Sequence, residues 1–129
     1  MPRTTFNQVT AGVAIVNAVE TAALTTAVVS SSLDGDSICI EGDLNMLTGA
    51  TTTAVVVRCR RGVGIAGALV GVAETFTIGA AANVSISFQF VDSPGAVANQ
   101  QYTITVQQTG GSTNGNVVAI AANVNVGQP

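Results

Sequence analysis

Apolar and polar residues alternate with a period of two along most of this chain, most clearly over residues 101–126. Tyr102, Ile104 and Val106 alternate with Thr103, Thr105 and Gln107. The run Gly110-Gly111-Ser112-Thr113-Asn114-Gly115 interrupts, and Val118, Ile120, Ala122, Val124 and Val126 resume the alternation. β-Branched residues suit a pleated, half-buried surface, and Gly and Asn supply the left-handed backbone that a reversal needs. The stretch therefore predicts two antiparallel strands around a turn.

The same pattern recurs upstream. Over residues 37–47, Ile38, Ile40, Gly42, Leu44 and Met46 share one face, with Cys39, Glu41, Asp43 and Asn45 on the other. Over residues 52–61, Val55, Val57 and Cys59 point to the core and Val56, Arg58 and Arg60 away from it. If these two strands pair, Glu41 and Arg58 are diagonal neighbours; if they belong to opposing sheets, they lie on opposite outer faces. Residues 74–78 form a short strand. Val84, Ile86, Phe88 and Phe90 then make the most aromatic face in the chain, which predicts a central strand, closed by the turn signature Asp92-Ser93-Pro94-Gly95. Residues 13–16 read as a short buried strand. Residues 17–23 are Ala-rich enough for a helical turn, and residues 24–33 are β-branched and Ser-rich. Four glycines, Gly62, Gly64, Gly67 and Gly71, predict a mobile loop or irregular edge.

About eight strands result, with turns rich in Gly, Asn and Asp: an all-β, single-domain antiparallel β-sandwich of jelly-roll type. Residues 1–10 read as a flexible N-terminal arm and residues 11–129 as the domain, because 129 residues suffice for one two-layer core.

Composition sharpens this picture. Only 9% of residues are charged where about 25% is usual, while 47% are apolar. A monomer of this mass exposes roughly 6,300 Å², and eleven formal charges, four basic and seven acidic, are available to wet it. Sparse charge on a large surface predicts contact with other protein, and hence a homo-oligomer. Lysine, histidine and tryptophan are absent and the net charge is −3. These absences argue against a phosphate-tracking nucleic-acid surface, a Ser-His-Asp triad and a histidine-based metal site, so no enzyme, cofactor or metal is expected. Asp34, Asp36, Glu41 and Asp43 lack the spacing of a calcium loop. The segment before residue 10 lacks the pattern of a secretory signal, and residues 9–29 are too often interrupted by Asn, Glu and Thr to span a bilayer. Synthesis in a host cytoplasm, without a signal peptide or membrane contact, is expected.

Parity separates the two cysteines, Cys39 facing out and Cys59 in, so two free thiols are expected. A bridge after a parity-changing bulge, or an intermolecular bond through Cys39, are the alternatives. Arg58, Arg60 and Arg61 gather three of the four positive charges. Their readings are an ion pair with Glu41, Asp43 or Glu74, a contact with an acidic partner protein, and, least of the three, a phosphate. Asn83-Val84-Ser85 matches a glycosylation sequon of low specificity.

The lysine-free, Thr/Val/Ala/Gly-rich composition, the closing run Gln101-Tyr102-Thr103-Ile104-Thr105-Val106-Gln107-Gln108-Thr109 and then Asn114-Gly115-Asn116-Val117-Val118 resemble small bacteriophage virion proteins, in particular capsid decoration (cement) proteins and fibre-head domains. The strand pattern is also similar to trimeric jelly rolls of the tumour-necrosis-factor and C1q type. The resemblance implies a non-enzymatic homotrimer on the virion surface, seated on the major capsid protein of an icosahedral shell. Val56, Val91 and Val117, with Arg58, Arg60 and Arg61, would then pack between subunits, and Pro2, Arg3, Thr4, Thr5, Phe6 and Asn7 would lie as an arm across the capsid. A receptor- or glycan-binding fibre head is the alternative it implies.

Overall fold

Burial follows the period of two that the sequence sets. In a computed structural model, which describes residues 3–10, 12–31, 37–78, 83–94 and 97–127, every second residue from Ile86 to Phe90 is buried while Ser85, Ser87 and Gln89 are exposed. The strands are β1 (Arg3–Val9), β2 (Val13–Ile15), β3 (Thr21–Thr25), β4 (Val29–Ser31), β5 (Ser37–Leu47), β6 (Ala54–Arg61), β7 (Glu74–Thr77), β8 (Asn83–Asp92), β9 (Val97–Gln100), β10 (Tyr102–Thr109) and β11 (Gly115–Gly127). No helix occurs among the described residues.

A five-stranded sheet runs β1-β11-β5-β8, with β2 beside β11 ahead of β1, and a four-stranded sheet runs β3-β10-β6-β7. A small pair, β4-β9, stands apart. Without β2, β4 and β9, the eight remaining strands counted along the chain alternate as first-eighth-third-sixth in one sheet and second-seventh-fourth-fifth in the other. That is the double Greek-key winding of a jelly roll. The expected eight strands are these; the short β2, β4 and β9 bring the total to eleven.

The winding corrects four expectations. β10 and β11 do not pair: β10 lies between β3 and β6, and β11 between β5 and β1. The glycine-rich loop between them carries the chain from one sheet to the other. Of the two arrangements open to β5 and β6, the structure has the opposing sheets, which places Glu41 and Arg58 on opposite outer faces. β8 is an edge strand rather than a central one, paired among the described residues with β5 alone. Its inward Phe88 and Phe90, ring centroids 6.1 Å apart, are wide enough to close the flank of the sandwich where no further strand covers it. Residues 3–9, read as an arm, form β1, in register with β11 from Arg3↔Val126 to Val9↔Ile120. Residues 17–19 make a tight turn rather than a helical one, with Ala18 at φ 63°.

A fifth correction is local. The β5–β11 register shifts between Val117 and Ala119, so Val118 is an extra residue on the longer strand. A bulge flips the parity of everything on one side of it. Val117, expected to face outward, is therefore fully buried against the core, and Val118 is 40% exposed.

The core is the layer these faces share. Ile38, Ile40, Leu44 and Met46 of β5, Ile86, Phe88 and Phe90 of β8, and Ile120, Val124 and Val126 of β11 pack against Val55, Val57 and Cys59 of β6 and Tyr102, Ile104 and Val106 of β10. The bulge makes a one-residue contrast testable. Val117→Asp buries an unpaired charge and should cost several kcal/mol, whereas Val118→Asp should stay within about 0.5 kcal/mol. Urea midpoints of the two variants at unchanged slope measure the difference, and equal losses would contradict the bulge.

Candidate interaction surface

The outer face of the four-stranded sheet holds two of the four arginines. Arg58 and Arg60 leave β6 on its outward parity, opposite Thr105 and Thr103 of β10. Both meet Glu20, which ends the turn leading into β3. Arg60 binds it through two donors, Nε to Oε2 at 2.7 Å and Nη2 to Oε1 at 2.8 Å. Thr105 donates its hydroxyl to the same carboxylate at 2.6 Å, and Arg58 Nη1 stands 3.9 Å away while donating to Gln107 at 2.8 Å. The Arg60 guanidinium outweighs the opposing effect of burial and holds the Glu20 carboxyl below its ordinary value.

Residues 62–73 fold back over this face as a strap. Thr103 donates its hydroxyl to the Gly62 carbonyl at 2.7 Å and accepts the Gly64 N–H at 3.1 Å; the Arg61 N–H reaches Ala68 at 3.0 Å and the Val70 N–H reaches Cys59 at 2.8 Å. Arg60 Nη1 also donates to the Gly67 carbonyl at 2.9 Å. Gly67 lies so close to β6 that a Cβ there would collide with the Arg61 carbonyl oxygen. Of the two expectations for this segment, a mobile loop or an irregular edge, the second is the one found: Leu69 bridges Arg60 on β6, and Thr103, which the segment holds through Gly62 and Gly64, is completely buried. Its own outer surface is uncharged and apolar, with Val63 70% and Val72 82% exposed.

Arg61 has the inward parity of β6 and points to the end of the core. Its Nε and Nη2 donate to Asp92 of β8 at 2.9 and 2.6 Å, and the buried Tyr102 hydroxyl donates to the same carboxylate at 2.8 Å. One carboxylate therefore fastens the edge of one sheet to the middle of the other. Burial pushes the Asp92 carboxyl up, but the Arg61 guanidinium and the Tyr102 hydroxyl more than offset it, and the net shift is downward. Burial and the Asp92 charge push the Tyr102 phenol up.

The opposite end of β10 is closed by Gln108. Fully buried, it accepts the Gly49 N–H at 3.0 Å and donates to Asn17 at 3.1 Å and to the Thr113 carbonyl, joining three loops. Asn17 in turn donates to the Gly111 carbonyl at 2.8 Å.

The outer face of the five-stranded sheet carries acid without base. Phe6, Asn123, Glu41 and Gln89 stand in register across its four strands, with Gln8, Ala121, Asp43 and Ser87 as a second row. Where β8 faces β7, a groove of about 710 Å³ opens, lined by Glu41, Asp43, Glu74, Phe76, Phe88 and Gln89 among others, with no lysine or arginine in its wall. Glu74 reaches across from β7 to accept the Gln89 N–H at 3.4 Å. Among the described residues no three His, Cys, Asp or Glu side chains converge as metal ligands.

The expected interface residues therefore separate. Val91 is 53% exposed on β8, but Val56, though on an outward face, is covered within its own chain, and Val117 is core. Arg58, Arg60 and Arg61 are held by Glu20, Asp92 and Gln107, not by Glu41, Asp43 or Glu74, because Glu41 and Asp43 lie on the other sheet and Glu74, opposite Val57 on β7, turns toward Gln89 of β8. Of the expected capsid-contacting arm, Arg3, Thr4, Thr5, Phe6 and Asn7 lie in β1, with Phe6 62% exposed and Asn7 accepting the Ala27 N–H at 2.9 Å; Pro2 lies outside the described residues, as do Asp34 and Asp36. Sequence reasoning missed Glu20, Asp92 and Gln108. Glu20 is the lone acid in an otherwise uncharged run, and Asp92 shares the inward parity of Phe90; those were the available signals.

Cys39 is half-buried on the outer face, where Gln89 Nε2 approaches its sulfur at 3.4 Å; Cys59 is in the core, its thiol pushed up to about 12 by burial and then by the Asp92 charge. Native protein kept dilute should react with a thiol reagent at one cysteine per chain, and Cys39→Ser should abolish that reaction; rapid labelling of Cys59 would contradict the core assignment. The pH dependence follows from the carboxylates. Asp92 and Glu20 have lowered folded values, so their stabilisation is present above the unfolded carboxylate range near pH 4 and is lost as pH falls through the folded values. Asp92→Asn should cost roughly 1–3 kcal/mol at pH 7 and flatten the acid limb of a stability–pH curve measured in urea. An unchanged acid limb would contradict the tie.

No protein-family model matches the chain, and no curated protein matches it in sequence. Solved structures do. A chain of the T13 viral particle of infectious bursal disease virus aligns with a TM-score of 0.61 at 13% identity, covering 95% of this chain and 31% of that one. The VP2 subviral particle of the same virus gives 0.60 at 13% identity, covering 97% and 32%, and the Gx strain 0.56 at 14%, covering 99% and 32%. The likeness is one of fold, and this chain spans 31–32% of the length of those chains.

Proposed function

We propose that this chain is a non-enzymatic structural protein of a virion, acting as a homo-oligomer through buried surface. The observation that carries this reading is the complete jelly-roll winding, aligned over 95% of the chain with a component of a viral particle. The surface supports it. The accessible area, 6094 Å², is that of a compact monomer, since the scaling with mass gives roughly 6,300 Å². The exposed Phe6, Val63, Val72 and Val91 are therefore not the by-product of an open fold. Three of four arginines are engaged within the chain, which leaves shape and apolar contact as the means of association.

In its specific form the reading is a decoration protein of a bacteriophage capsid, a homotrimer seated on the major capsid protein at the virion surface. Phe6, Val91 and the strap's Val63 and Val72 take the interface role first given to Val56 and Val117. The groove beside β8 favours a second reading, a receptor- or glycan-binding head, since carboxylates and amides beside a phenyl ring can accept and cover sugar hydroxyls.

Light scattering on a sizing column, over a dilution series, tests the first reading. A mass of three times 12.8 kDa that persists on dilution is expected. A 12.8 kDa species at every concentration would contradict it, and glycan-array binding by that monomer would favour the second.

A further inference from the structure

The five-stranded sheet ends, at β8, on a long edge with little protection along its middle. β8 pairs with β5 in unbroken register from Ile38↔Asp92 to Leu47↔Asn83, without a bulge, and with nothing on its other side among the described residues. The Gln89 N–H points away from β5, as its contact with Glu74 shows. Alternation gives the amides of Ser85, Ser87 and Val91 the same outward direction. Proteins normally blunt such an edge with lysine, proline, a bulge or an inward charge. β8 contains neither of those residues and no bulge; its one inward charge, Asp92, is the last residue of the strand and is paired with Arg61, and the Glu74 carboxylate, at a long 3.4 Å, stands over the edge.

We propose that the β8 edge is a strand-docking site whose occupant is the β1 edge of a second copy of this chain, joined in an antiparallel, head-to-tail seam. The inference deepens the self-assembling reading above and rests on it. Two observations select this occupant. β1 is the opposite edge of the same sheet, seven residues long, with its outer side unpaired among the described residues. Direction alternates across β1-β11-β5-β8, so β1 and β8 run opposite ways. A copy displaced along the sheet therefore presents β1 to β8 as an antiparallel partner, with outer faces still outward. The exposed Phe6, at the end of the row that begins with Gln89, comes to lie at the seam beside the next copy's β8. Strand addition of this kind takes its affinity from main-chain hydrogen bonds and its selectivity from the alternate side chains. Because the two patches differ, the contact is heterologous, closing into a ring or extending as a filament according to its rotation.

Ser87 allows a test that spares the β5 ladder, because its amide points away from β5 and its side chain away from the core. Ser87→Lys places a charge on the edge, and Ser87→Pro removes one outward donor. Both should keep the wild-type circular dichroism and urea midpoint yet sediment at 12.8 kDa where the wild type is oligomeric. Amide exchange on the wild type needs no variant: Ser85, Ser87 and Gln89 should exchange more slowly in the oligomer than after dilution. A folded Ser87→Lys protein with wild-type mass, or unchanged exchange at those amides, would overturn the seam while leaving the oligomer standing. A monomeric wild type would overturn both.

Discussion

The rest of the structure depends on one apolar layer, shared by the inner faces of two sheets. Neither sheet can bury its own aliphatic side, and the jelly-roll winding brings the two faces together by sending successive strands to opposite layers. β10 shows how the layer is bounded. Tyr102 at one end meets Asp92 and Arg61, Gln108 at the other gathers three loops, and between them Ile104 and Val106 are wholly buried. Polar groups of this kind, satisfied only in one register, specify which strands face each other as well as stabilising them. Sliding β10 by one residue would turn Ile104 to the outside and strand Tyr102 away from Asp92.

The alternation made the strands and most of the core legible in the sequence, because a period of two is a local property. Ile38, Ile40, Leu44, Val55, Val57, Ile86, Phe88, Ile104 and Val106 could each be placed from their neighbours alone. Pairing is not local. The loop around Gly110 and Gly111 suits a hairpin as well as a crossing between sheets, and nothing within it distinguishes the two. Val117 was misplaced for another reason: the bulge at Val118 is set by the opposing strand β5, which a single strand's pattern does not contain. The aromatic face of β8 suggested a central strand, yet large inward rings serve equally to close a flank.

The candidate surface was less legible than the fold. The clustering of Arg58, Arg60 and Arg61 was visible, but their partners, Glu20 and Asp92, come from positions 40 and 31 residues away that meet only through the winding. The strap's glycines looked like freedom. Gly67 is instead required by the strap's close approach to β6, and the resulting apolar ridge leaves this face of the molecule with its charge beneath the strap and an uncharged surface outside. Such a distribution suits a protein whose work is to be packed against copies of itself, with binding carried by area and edges.

Electron microscopy of the purified chain across increasing concentration tests that claim most directly. The account predicts regular rings, filaments or shell fragments with one repeating contact between copies. Dispersed single domains at every concentration, or amorphous aggregates without a repeat, would contradict it.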